Sequence, residues 1–168
     1  MAIDICLMVE KISLKDADLV DQIKFLGGSV VNEKSRDGHF SINSAYDRLG
    51  FYVSLYEKTK LQFGHEIDWL GGYDVNLNGE FWYKQNLCFN INHELEPCIA
   101  YRNVIHIIFA MMKKSCSKAV LDFNGYMDLC LFLNNQEVII NKTGGKDFWE
   151  WPYYDFKNIL SSWKCIYV

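Results

Sequence analysis

His65 stands beside Glu66 and three residues from Asp68 in a glycine-flanked stretch, and an imidazole with a carboxylate at hand is the minimal equipment for general-base chemistry. Such triplets are equally at home on solvated loops, so no catalytic role is assigned. His39, His93 and His106 lie too far from His65 and from one another to form a local metal pair, and neither Cys-x-x-Cys nor His-x-x-x-His spacing occurs. A glycine-rich phosphate loop is also missing. No metal and no cofactor is expected. Of the six cysteines (Cys6, Cys88, Cys98, Cys116, Cys130, Cys165), only Cys116 and Cys165 have lysines close before them. A lysine nearby in sequence activates a thiol weakly, so both read as structural.

Two acidic, aromatic stretches carry more information. The first holds Glu66, Asp68, Trp69, Tyr73, Asp74, Glu80, Trp82 and Tyr83; the second holds Asp147, Trp149, Glu150, Trp151, Tyr153, Tyr154 and Asp155. Trp and Tyr dominate the energetics of protein interfaces, and carboxylates beside them pair with Arg and Lys on a partner. The residues expected to bind a partner are Glu66, Asp68, Trp69, Tyr73, Asp74, Glu80, Trp82, Trp149, Glu150 and Trp151. The same aromatics could instead anchor irregular loops to the core.

The elements that must position these residues follow from periodicity. Ala2 to Val9 alternates as a half-buried strand; Ser13 reads as the N-cap of a helix over Leu14 to Leu26, closed by Gly27-Gly28. Ser29 to Asn32 and Phe51 to Tyr56 read as strands, with a turn at Asp37-Gly38. Gly64 to Tyr83 has no clear period. Leu87 to His93 is again a strand, and Pro97 to Ser115 is the main helix, apolar nearly all round in its second half and therefore buried. His106 within it reads as a core histidine. Ala119 to Phe123, the Asn124-Gly125 turn, Met127 to Leu133 and Val138 to Ile140 form a meander, and Asp155 to Trp163 a terminal helix. This order predicts one α+β domain over residues 1–168, a largely antiparallel sheet with two or three helices packed on it.

Composition narrows the function classes. Half of the 168 residues are hydrophobic and 23% are charged, the balance of a folded globular chain. The net charge is −4; residues 1–80 hold 8 Lys/Arg against 13 Asp/Glu, and the rest is near balance. Neither half offers the basic footprint that direct nucleic-acid binding needs. Acidity suits a basic protein partner. The apolar run Val104 to Met112 is too short to span a bilayer, so no membrane association is expected. Met1 to Lys11 lacks a basic region ahead of its apolar residues, so no signal peptide is read. Cysteines among apolar neighbours, as in Ile5-Cys6-Leu7 and Leu129-Cys130-Leu131, then read as reduced core residues of a cytoplasmic protein.

The run Ala119-Val120-Leu121-Asp122-Phe123-Asn124-Gly125, followed by Leu129-Cys130-Leu131-Phe132-Leu133, Val138-Ile139-Ile140-Asn141 and Gly144-Gly145, resembles the single-domain immunity proteins that accompany bacterial contact-dependent growth-inhibition and other polymorphic toxins. The resemblance implies a cytosolic, non-enzymatic antitoxin that binds one cognate toxin domain, often a basic nuclease, and occludes its active site. Glu66, Asp68 and Asp74 would then face the toxin's phosphate-binding Lys and Arg, with Trp69, Tyr73 and Trp82 as anchors. Two alternatives stay open: a small hydrolase using a His65–carboxylate pair or a remote Cys–His pair, and a small-ligand-binding module. A pocket of about 300 Å³ or more with convergent polar groups would favour these. An exposed strand edge could also serve a homodimer.

Overall fold

The computed structural model describes residues 3–30, 34–36, 38–43, 46–57, 63–66, 80–92, 94, 97–125, 127–142, 145–150 and 156–168. The strands are β1 (Ile3–Val9), β2 (Lys34–Arg36), β3 (His39–Ile42), β4 (Phe51–Glu57), β5 (Phe63–Glu66), β6 (Glu80–Tyr83), β7 (Gln85–Ile91), β8 (Ala119–Phe123), β9 (Met127–Phe132), β10 (Glu137–Ile140) and β11 (Lys164–Tyr167). The helices are α1 (Asp16–Phe25), α2 (Tyr46–Leu49), α3 (Pro97–Lys114), α4 (Lys146–Trp149) and α5 (Phe156–Leu160). Nine strands join in the order β11-β10-β9-β8-β1-β7-β4-β3-β2, and β5 pairs with β6 as a separate hairpin. Every pairing is antiparallel except that of β10 with β11. The architecture is α+β, as the periodicity predicts.

Strand alternation decides what each face of the large sheet carries. Ile5, Leu7 and Val9 of β1, Leu87, Phe89 and Ile91 of β7, and Phe51, Val53 and Leu55 of β4 all point to one face and are at most 2% exposed. Leu19 and Ile23 of α1 and Ala100, Val104, Ile107, Ile108 and Met111 of α3 cover that face in the same cluster. The Lys114 ammonium meets Asp18 at 2.6 Å and ties α3 to α1. On the other face lies a second, smaller cluster, Met8, Val120, Leu131 and Ile139, lidded by Phe81 from β6. These sheet residues form one cross-strand row, Met8 opposite Val120, Val120 opposite Leu131 and Leu131 opposite Ile139.

Polar side chains fix the connections. Gln85 is fully buried, and its Oε1 accepts from the Ser13 and Leu14 N–H groups while its Nε2 donates to Leu14 O and Glu57 Oε1. The β1–α1 connection is thereby held to the centre of the sheet. Ser13 does not cap α1: its hydroxyl bonds that of Ser115 at 2.7 Å, and the helix starts at Asp16 after the extended Lys15. Gly38 (φ 81°) turns β2 into β3, and a Cβ there would come within 2.9 Å of Glu57 O. Asn124 (φ 59°) and Gly125 (φ 74°) make the β8–β9 turn, the pair of left-handed residues that a tight hairpin requires.

Several sequence expectations are corrected. Of the strand expected at Ser29 to Asn32, Ser29 and Val30 are irregular and Val31 and Asn32 lie outside the described residues; the described strand here is Lys34–Arg36. The terminal helix is shorter than expected, and Lys164–Tyr167 leaves it to form a parallel edge strand on β10. Cys6 is not a reduced core residue. Alternation turns it away from Ile5 and Leu7 to the opposite face, directly across from Cys88 at a Cα separation of 4.2 Å, where the two form a disulfide. Cys130 is a buried free thiol, as expected. Cysteine usage therefore carries no argument for a reducing compartment. Among the described residues, no helix is long and apolar enough to cross a membrane.

Candidate functional site

The hairpin β5–β6 brings His65 down onto the large sheet. His65 pairs across the hairpin with Phe81, and Phe81, 3% exposed, is packed into the Met8–Val120–Leu131–Ile139 cluster. Beside that apolar footing the sheet offers two carboxylates, Asp122 of β8 and Asp128 of β9, which sit directly opposite each other. A register shift after Leu121 places both in this pairing, so that two like charges face one another across adjacent strands. That arrangement is destabilising unless something between them carries positive charge or a proton.

His65 Nε2 lies 2.6 Å from Asp128 Oδ1, a hydrogen bond in which the ring N–H donates to the carboxylate. Asp122 Oδ1 accepts from the Gly125 N–H at 2.6 Å, whereas its Oδ2 is buried with no hydrogen-bond partner. One ligand atom from each of His65, Asp122 and Asp128 falls within 4.8 Å of the other two. Burial, reinforced by the Asp128 charge, holds the Asp122 carboxyl above the ordinary carboxylate range in spite of the Gly125 N–H, the nearby His65 and the Met127 N–H. Asp122 and Asp128 are 5% and 8% exposed, while the His65 side chain keeps 22% of its surface. The site is thus sealed from the sheet side and open past the imidazole. Asn141, itself buried, donates to Asp128 O at 2.8 Å and braces the strand from behind.

Two kinds of chemistry fit this set. With Nε2 engaged by Asp128, the imidazole could serve as a base through Nδ1 alone. Alternatively, one nitrogen and two carboxylate oxygens make a borderline-hard donor set for a divalent cation. Of the carboxylates beside His65 in sequence, Asp68 lies outside the described residues and Glu66 is placed by its backbone alone; the described partners come from 57 and 63 positions downstream. The signal that could have pointed to them is the lone carboxylate in each of the otherwise apolar strands AVLDF and MDLCLF.

The remaining face of the large sheet has a different character. Tyr52 and Tyr56 of β4 are 38% and 40% exposed. The Tyr52 ring is stacked with Tyr46 at 4.1 Å, and the Tyr56 ring with His39 at 4.3 Å. Around them the same face presents Ser41, Ser54, Asn86 and Asn90, the last donating to Asp4 at 2.8 Å. His39 Nε2 and Asn86 Oδ1 are buried without partners.

Of the residues expected to bind a partner, Asp68, Trp69, Tyr73, Asp74 and Trp151 lie outside the described residues, and Glu66 and Glu80 are placed on β5 and β6 by backbone alone. Trp82 is 48% exposed and lies over Gly64. Glu150 is exposed beside α4. Trp149 takes the anchoring alternative: half-buried, it donates its indole N–H to Leu129 O at 3.0 Å and meets Phe109, Phe148 and Phe156 edge-on. His106 is half-buried rather than enclosed, and its ring stacks on the exposed Phe25 at 5.7 Å. Cys116 is exposed, and Cys165 donates to Leu160 O while burial pushes its thiol upward, away from a reactive thiolate.

Two grooves flank the C-terminal elements, one of about 300 Å³ along His106, Phe109 and Trp163, the other of about 640 Å³ along Lys142, Trp149, Lys157 and Tyr167. Neither shares a lining residue with the His65 cluster. No protein-family model, curated protein or solved structure matches the chain.

Proposed function

We propose that the protein is a non-enzymatic recognition module of the immunity type, which binds a cognate toxin domain and covers its active site. The observation that supports this reading most is the pair of stacked aromatic contacts, Tyr46 with Tyr52 and Tyr56 with His39, standing on a polar sheet face among Ser41, Ser54, Asn86 and Asn90. Tyrosine gives large contact area for two rotatable angles, and Ser and Asn give adaptable hydrogen bonds, the same division of labour found in antibody paratopes. Here the tyrosines stand on β4, whose alternate residues are locked in the core, so little ordering entropy is lost on binding. The occupant is a basic domain. The first 80 residues carry the acidic excess, and the Glu66, Asp68 and Asp74 carboxylates would add to it from the β5–β6 hairpin and its connection.

The test is co-purification with the C-terminal domain of the protein encoded immediately upstream, followed by calorimetry. A 1:1 complex is expected, weakened by about 100-fold or more in a Tyr52→Ala/Tyr56→Ala double variant whose melting temperature stays near that of the wild type. Charge reversal at Glu66, Asp68 and Asp74 tests the acidic arm separately. A wild-type protein that forms no complex and elutes alone sinks the reading and moves the weight to the 640 Å³ groove as a small-ligand site. Elution as a dimer would assign the open edges of β2 or β11 to self-association.

A further inference from the structure

We infer that His65, Asp122 and Asp128 form a binding site for a divalent transition metal, best matched by zinc, which clamps the β5–β6 hairpin onto the large sheet. The inference stands on the geometry of this cluster and does not depend on the partner reading. Its first support is the donor set: one imidazole nitrogen and two carboxylate oxygens within 4.8 Å of one another, drawn from three strands in two sheets. Three protein ligands with a fourth position left to water is the arrangement of open zinc sites, and nitrogen in the set disfavours calcium and magnesium, which take oxygen cages. The second support is Oδ2 of Asp122, a carboxylate 5% exposed, which has no partner of hydrogen-bond geometry, although the Met127 N–H also acts weakly on this carboxylate. A buried polar atom without a partner costs about 1–3 kcal/mol, more when charged, and natural folds keep such atoms where an ion or reacting group completes them. The third is the direct apposition of Asp122 and Asp128, which a shared dication turns from repulsion into chelation.

Loading requires shifts in both directions, because the ligand atoms stand between 2.6 Å and at most 4.8 Å apart. Tetrahedral ligands about 2.0–2.1 Å from zinc stand about 3.3 Å apart, so the 2.6 Å His65–Asp128 contact must open by roughly 0.7 Å. A four-residue hairpin strand can supply that movement. Asp122 stays fixed through its Gly125 hydrogen bond, and Asn141 holds the Asp128 backbone, so the outer contacts that orient ligands are already in place. The exposed flank of His65 gives an entry path.

The experiment uses the untagged full chain, stripped with chelator, titrated with zinc chloride by calorimetry and with cobalt(II) by visible absorption. One zinc per chain is expected, with a raised melting temperature, and cobalt bands without the thiolate charge-transfer absorption near the ultraviolet. Asp122→Asn and His65→Gln, both close in shape to the originals, are each expected to weaken zinc by about 100-fold or more. Asp122→Asn keeps the turn hydrogen bond; if it fails to fold, the partly exposed His65→Gln decides alone. Absence of one-site binding to the wild type, unchanged affinity in the folded variants, or a thiolate charge-transfer band tracing the metal to free cysteines would each overturn the site.

Discussion

The two faces of the large sheet are made from the same strands and obey opposite rules. In β1, β4 and β7 the odd-numbered residues other than Glu57 and Gln85 form an apolar layer under α1 and α3; the even-numbered ones are Asp4, Cys6 and Met8, Tyr52, Ser54 and Tyr56, and Asn86, Cys88 and Asn90. Burying the odd set supplies the driving force, at about 1.5–3 kcal/mol for each large side chain removed from water. Apart from the Cys6–Cys88 disulfide and Met8, the even set carries little of the core, and it is on that face of the sheet that the orphaned polar atoms of His39, Asn86 and Asp122 occur among the described residues. On the proposed reading, the core residues and the partner-facing tyrosines of β4 are separated by parity along the strand, not by region of the chain.

The sharpest way to break this comparison is to cut into the dry face. Phe89→Ala removes a fully buried ring that meets Phe51 edge-on, and a loss of about 3–5 kcal/mol is expected in denaturant unfolding. A loss no larger than that of the Tyr52/Tyr56 double variant would show that parity does not divide the two roles. Phe81→Ala is next, expected to cost less than about 3 kcal/mol because only a two-stranded hairpin must resettle. It should leave the helical circular dichroism intact while abolishing zinc binding through displacement of His65; retained zinc affinity would show that the hairpin docks without its apolar footing.

The smallest effect is electrostatic and sits on the helical side. Burial lowers the pKa of His106 below its ordinary 6.5, so the folded state binds a proton less readily than the unfolded chain. Its contribution is present above about pH 6.5 and declines as pH falls through that value towards the lowered folded pKa. The stability difference between wild type and His106→Gln should therefore shrink from about pH 7.5 to about pH 5 in paired denaturant titrations. Parallel pH curves would mean that the ring titrates as freely as in the unfolded chain.

Legibility in the sequence followed the same division. β1, β4, β7 and α3 were readable because a one-sided core imposes strict alternation or near-continuous apolarity on them. The Asn124-Gly125 hairpin was readable because its left-handed turn demands those residues. β11 was not, since the four residues KCIY have no pattern of their own and owe their conformation to β10, including a Lys164–Glu137 ion pair across the two strands. The cluster at His65 was half readable. Its imidazole stood out, but the Asp128 carboxylate that meets it comes from another strand 63 positions on, a pairing that only the register of the sheet creates.

The first strand of the chain lies in the middle of the sheet, between β7 and β8. During synthesis it has no partner until residue 85 emerges, and its second edge stays bare until residue 123 does. At about 5–20 residues per second, that leaves an apolar strand waiting roughly 6–20 s for its last neighbour. For that interval the nascent chain holds an apolar strand without its native neighbours, so the topology that puts β1 at the centre of the finished sheet also leaves it open to wrong pairing while the chain is being made.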